Sequence, residues 1–112
     1  MKFTNTLLAV VSVVAVSFQS VNAFDWGTMC SDANFVGSCT TYQADPNQCV
    51  SFTGSNAVWN DVVSSISVVG GAQCMFSVNA GCSGTTDTFT AGRHNTVPHN
   101  DQYSSFRCIF VA

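Results

Sequence analysis

The sequence predicts a small all-β domain made of two copies of one antiparallel unit, and three observations carry that reading. A segment returns forty residues on: Trp59-Asn60-Asp61-Val62-Val63-Ser64-Ser65-Ile66 is matched by His99-Asn100-Asp101-Gln102-Tyr103-Ser104-Ser105-Phe106. An internal repeat implies two supersecondary units sharing one core. Beyond residue 23 the chain has no lysine and no glutamate and is rich in Val, Thr, Ser and Phe, which favours strands over helices. Turn formers punctuate it at short intervals, as expected of many short strands.

Those turn signals bound each element. The first strand, 26–31, stops at Asp32-Ala33-Asn34, and the second, 37–43, stops at Asp45-Pro46-Asn47. The third, 48–53, ends at Gly54-Ser55-Asn56; the fourth, 64–69, follows the first repeat and ends at Gly70-Gly71. In the second half, 73–78 ends at Asn79-Ala80-Gly81, then come 84–90 and a short strand at 93–97 closed by Val97-Pro98. The last strand, 105–111, follows the second repeat. Four strands per half, divided at Gly70-Gly71 into motifs of about 24–70 and 71–112, make two Greek keys packed as one β-sandwich. Ile66 and Val68 in one copy, and Phe106 and Cys108 in the other, fall on one face at equivalent places, so they are expected in the core.

Residues 1–23 read as a secretory signal peptide. Lys2 gives a positive start, Leu7 to Val16 is apolar but too short to span a bilayer, and Val21-Asn22-Ala23 offers a small-residue cleavage site. The expected product is a single secreted, extracellular domain over residues 24–112. Without Lys2, six aspartates face only Arg93 and Arg107, a formal charge of −4. That balance gives no electrostatic reason to bind nucleic acid, and none to bind or insert into an anionic membrane.

All six cysteines, Cys30, Cys39, Cys49, Cys74, Cys82 and Cys108, lie in the mature region. In an oxidising compartment they read as three disulfides supplementing a limited core; spacing alone leaves the connectivity open. No C-x-x-C occurs, so zinc is disfavoured, and no N-x-[ST] sequon is present. The repeat carries chemistry as well as architecture. Clustered carboxylate, amide and hydroxyl oxygens are ligands for a hard cation such as calcium. One such hexapeptide alone is ordinary turn chemistry; two intact copies, each leading into an apolar strand, favour the cation.

At this point the chain resembles the βγ-crystallin family, in particular its microbial calcium-binding members. In that family each Greek key opens with a folded hairpin ending in aromatic-x-Gly and continues to an Asn/Asp-Asn/Asp-x-x-Ser/Thr-Ser arch. Here Phe35 and Gly37 match the first hairpin, Gly84 the second, and Ser65 and Ser105 the serines that bond back onto the hairpins. Cys82 replaces the second aromatic, while Cys30 and Ser77 stand where a tyrosine often packs, which suggests covalent bridging in place of stacking. Between hairpin glycine and arch, the first half carries about seven residues more than the second.

The resemblance implies calcium as cofactor in two sites. One would use Asp61, the Val62 carbonyl and Ser64, completed near Val78. The other would use Asp101, the Gln102 carbonyl and Ser104, completed near Ser31. It also implies that each third strand crosses to the other motif, so that Cys108 pairs with Cys49 or Cys74. Two other functions fit the scaffold: a secreted toxin, antimicrobial or host-directed effector acting on an extracellular protein target, and a proteinase inhibitor presenting residues 40–59. No catalytic constellation stands out, and the chain is not read as an enzyme. His94 and His99 are expected as solvent-exposed loop residues. Trp26 and Trp59 are expected as core aromatics rather than a carbohydrate platform.

Overall fold

A computed structural model describes residues 23–111, so the expected signal peptide lies outside the described residues except for Ala23. Six strands follow one another: β1 Phe24–Asp32, β2 Val36–Ala44, β3 Val50–Ser51, β4 Ser65–Asn79, β5 Ser83–His94 and β6 Ser105–Phe110. Short 3₁₀ turns occupy Ala33–Phe35 and Gly54–Trp59.

Pairing is antiparallel throughout, and β4 and β5 are each shared between two layers. The start of β4 lies between β1, with Met29 opposite Ile66, and the end of β5, with Val68 opposite Gly92. Its later part lies between the start of β5, with Phe76 opposite Asp87, and β6, with Cys74 opposite Cys108. β2 completes the first layer against β1, and β3 completes the second against β6. Each half thus lends its third segment to the other, giving the crossed Greek keys that the resemblance implied.

The strand count differs from the expected eight, for a physical reason. The segments 64–69 and 73–78 form one continuous strand, as do 84–90 and 93–97. Gly70-Gly71 does not break the chain: four residues of β4 face one of β5 there, and Gly71 takes a φ of +80°. The strand bends from one layer into the other at a point where two residues lack Cβ atoms. The third segment, by contrast, shrinks to Val50–Ser51. Most of the first half's extra length is taken up by the 3₁₀ turn that follows.

Aromatic rings fill the space between the layers. Tyr42 from the first layer meets Phe76 at 5.5 Å and Phe106 at 5.1 Å between centroids. Phe76 also lies 5.7 Å from both Phe89 and Tyr103. Ile66, Val68, Phe106 and Cys108 are all buried in this cluster, as their shared face predicted. Trp26 is fully buried and its indole N–H donates to the Ala44 carbonyl at 2.9 Å, which satisfies the ring's polar atom inside the core.

Three disulfides staple this core. Cys30–Cys39 joins directly opposed residues of β1 and β2, and Cys74–Cys108 does the same for β4 and β6. Cys49–Cys82 ties the loop before β3 to the β4–β5 turn. Of the two partners the crossed topology allowed for Cys108, the structure selects Cys74. The two hairpin cysteines that replaced aromatics, Cys30 and Cys82, are both bridged.

The bridges close chain segments of different length, with sequence separations of 9 for Cys30–Cys39 and 34 for Cys74–Cys108. Loop-closure entropy assigns them about 3 and about 4 kcal/mol respectively. Replacing both cysteines of the buried 74–108 pair by alanine is expected to lower the denaturant midpoint further than replacing the 30–39 pair. Chemical denaturation of the two double variants checks the order.

Candidate functional site

The two repeats form arches that meet each other across a pseudo-two-fold axis. In each, the aspartate takes a left-handed backbone: Asp61 has φ +61° and Asp101 φ +60°. That conformation is costly for most side chains but tolerated by Asp. It turns each aspartate N–H toward the opposite arch. Asp61 N–H donates to the Tyr103 carbonyl at 3.0 Å, and Asp101 N–H to the Val63 carbonyl at 3.2 Å.

The side chains cross in the same way. The Ser64 hydroxyl donates to Asp101 Oδ1 at 2.9 Å and lies 3.4 Å from the Val62 carbonyl oxygen. Ser104 Oγ and Asp61 Oδ1 are 3.5 Å apart. The oxygens are therefore grouped differently from the sequence expectation, which kept each aspartate with the serine of its own arch. Val62, Ser64 and Asp101 converge at one end, and Ser104 of the second arch stands with Asp61 at the other.

The hairpin assignment is exchanged as well. Ser64 N–H donates to the Cys30 carbonyl, beside Ser31, and Ser31 and Val62 line one cavity. Ser104 N–H donates to the Ser77 carbonyl, beside Val78. Each hairpin thus sits against the arch of its own motif: Ser31 goes with Val62 and Ser64, and Val78 follows the Ser77 carbonyl that Ser104 reaches. The physical reason lies in the crossed Asp N–H bonds, which carry the carboxylates over while the serines remain on their own strands.

The last serine of each arch fixes its hairpin. The buried Ser65 hydroxyl donates to the Asp32 carbonyl at 2.7 Å and accepts from Phe35 N–H at 3.1 Å. Ser105 repeats both bonds, to the Asn79 carbonyl at 2.6 Å and from Cys82 N–H at 2.9 Å. The hairpin glycines close equally tightly. A Cβ on Gly37 would stand 2.5 Å from Ser31 Oγ, and one on Gly84 2.5 Å from Asn79 Nδ2. The Arg93 guanidinium covers the Phe35 ring 3.9 Å from its centroid, a cation–π contact.

One polar cluster escaped the sequence reading. Asp87 on β5 accepts a hydrogen bond from the Tyr103 hydroxyl, and its Oδ2 lies 2.6 Å from His99 Nδ1. Only the separate legibility of His99 pointed here; nothing in the spacing links it to Asp87. Neither histidine is a bare loop residue: both are half-buried, and His94 Nε2 lies 2.7 Å from the Thr90 carbonyl oxygen. Burial pushes the Asp87 carboxyl up, but the Tyr103 and His99 hydrogen bonds and the nearby imidazole outweigh it and hold the carboxyl below its ordinary value. Burial, then the Asp87 bond, push the Tyr103 phenol far above its ordinary range. The cluster clamps Tyr103, whose carbonyl receives the Asp61 N–H.

Among the described residues, no three His, Cys, Asp or Glu side chains converge as a metal cluster. The oxygens at each end of the arches are instead one carboxylate and one hydroxyl, with the Val62 carbonyl beside the Ser64–Asp101 pair.

No protein-family model matches the chain, and no curated protein does. Solved structures do. A double mutant of a βγ-crystallin domain from Clostridium beijerinckii superposes with a TM-score of 0.65 at 24% identity, over 77% of this chain and 98% of that one. A βγ-crystallin domain from Flavobacterium johnsoniae gives 0.63 at 21% identity, over 77% and 96%. A clostrillin double mutant in complex with nickel gives 0.66 at 22%, over 77% and 99%. The fold is that of a βγ-crystallin domain. The βγ-crystallin architecture accounts for the crossed third segments, the folded hairpins and the paired arches in this chain.

The depressed Asp87 carboxyl has a pH consequence. It holds its proton less tightly folded than unfolded, so its stabilising effect is present above the ordinary carboxylate range, about pH 4, and is lost as pH falls through the lower folded value. Asp87→Asn is expected to lower Tm by several degrees at neutral pH. The gap to the native protein should close in melts run progressively below about pH 4.

Proposed function

We propose that this chain is a secreted βγ-crystallin-type module whose arches bind calcium, the ion and the disulfides together stabilising a small sandwich. The observation that carries this reading is the reciprocal crossing of Ser64 with Asp101 and Ser104 with Asp61. Turn chemistry alone would satisfy each arch locally. Two oxygen clusters assembled from opposite arches instead each pair a carboxylate with a hydroxyl, the Val62 carbonyl standing beside one of them, which is hard-cation chemistry.

The donor set fits calcium of modest affinity. Calcium takes six to eight oxygens, and each cluster offers one carboxylate, with hydroxyl, backbone carbonyls and water to supply the rest. Few charges place the dissociation constant at about 10⁻⁴–10⁻³ M, the range of extracellular modules. Magnesium, which demands tighter geometry and gives up water reluctantly, competes poorly. Binding to the folded state alone stabilises it by about 2.7 kcal/mol at a hundredfold excess over Kd.

Thermal melts of the oxidised protein in EGTA, in millimolar magnesium and in millimolar calcium are expected to show a rise of several degrees with calcium only. The crossed grouping makes a sharper demand. Ser64→Ala and Asp101→Ala remove ligands of one site, so their losses of calcium shift should be non-additive, whereas those of Ser64→Ala and Asp61→Ala should add. A calcium shift unchanged in Asp61→Ala and Asp101→Ala alike would remove the arches as ligands.

A further inference from the structure

The first half's extra length builds something the second half lacks. The 3₁₀ turn Gly54–Trp59 stands over the cleft where β1 and β2 face β3 and β6, and encloses an open cavity of about 220 Å³. Its floor is apolar, from Met29, Phe52 and Phe106, all buried core residues. Its polar lining comes from Thr40, Thr41, Gln43 and Asn56. The Gln43 amide nitrogen is engaged by Asp25, which leaves its carbonyl oxygen as an acceptor.

Trp59 separates this cavity from a second of about 230 Å³, lined also by Ser31, Ser38, Val58 and Val62. The two tryptophans therefore have different fates. Trp26 is sealed in the core, while Trp59 packs against the core from its edge, half-buried, and borders both cavities.

We propose that this cavity is a binding site for a neutral glycan, with one pyranose ring held against Trp59. Three features select that class. Among the described residues, no Asp, Glu, Lys, Arg or His lines either cavity, which argues against phosphorylated, carboxylated or cationic ligands, because a buried charge without a partner is costly. The volume falls below the ~300–1,000 Å³ of sites for drug-sized ligands and admits about one ring. The lining pairs an aromatic wall and apolar floor with hydroxyls and amides, and a sugar ring presents the same two chemistries, apolar C–H faces and a rim of hydroxyls. A purely apolar ligand would leave those amides and hydroxyls unpaired on binding. The site does not depend on the calcium reading, since no lining residue of the first cavity belongs to an arch ligand set.

The test uses the folded, oxidised protein in EGTA, so that a failure of calcium binding cannot mask it. Glucose, mannose, galactose, N-acetylglucosamine and their disaccharides are titrated to high millimolar while ¹H–¹⁵N spectra follow the Trp59 indole and the Gln43 and Asn56 side-chain amides. Saturable shifts of these three groups with at least one sugar, and affinity weakened on the order of tenfold in Asn56→Ala, are expected. Trp59→Ala should abolish the shifts, and Asn56, an exposed residue, provides a variant that leaves the core intact. Absence of saturable shifts with every sugar overturns the proposal. So does a response to indole as probe with none to the sugars, which would make the cavity an apolar one.

Discussion

The geometry of this domain depends on two buried serine hydroxyls. Ser65 and Ser105 each accept from the amide of a hairpin residue and donate to a carbonyl on the other side of the same hairpin. A hairpin folded back over its own sheet leaves backbone groups pointing inward, where an unpaired donor or acceptor costs about 1–3 kcal/mol. One hydroxyl answers both needs because it donates and accepts at once. With the hairpins held down, the preceding serines, Ser64 and Ser104, reach the Cys30 and Ser77 carbonyls, and the aspartates are left free to cross. Remove either hydroxyl and the arch loses the platform that positions its oxygens.

Much of this was legible from residues whose roles are local. The repeat gave the two arches, their matched position before apolar strands gave the shared core face, and Phe35, Gly37 and Gly84 marked the hairpins. Ile66, Val68, Phe106 and Cys108 fell where alternation put them. What could not be read was relational. The exchange of Asp61 and Asp101 between arches follows from two left-handed residues, and sequence shows Asp there without showing which way its N–H turns. Asp87 sits between Thr86 and Thr88 in a run with no metal or catalytic pattern, so only the fold brings it to His99 and Tyr103. Gly70-Gly71 carries an ordinary turn signal, yet here it bends a continuous strand instead of ending it, because strand partners on both sides of the bend keep the ladder going.

The two halves differ in how disulfides brace their hairpins. Cys30 and Cys82 occupy hairpin positions that stacked aromatics would fill, and each is bridged, but to partners of different kinds. Cys30 closes on the neighbouring strand, whereas Cys82 reaches the loop before β3. The second bridge anchors the base of the extended segment that continues into the Gly54–Trp59 turn. Asn47 N–H adds a bond to the Cys108 carbonyl at 2.7 Å. The asymmetry is concentrated in that segment, and the symmetric arches are left untouched by it.

The interleaving of strands also constrains how the chain comes into being. β6 supplies the partner for Cys74, the neighbour for β3 and the ring of Phe106 that packs on Tyr42 from the other layer. Until that last strand has been synthesised, the first Greek key has no surface on which to close its third segment. Each half therefore depends on the other to complete its layer. Loop closure over such distances must precede the contacts that reward it, which makes folding slow for a domain of this size. The crossed topology brings Cys74 and Cys108 opposite each other only as the native sandwich forms.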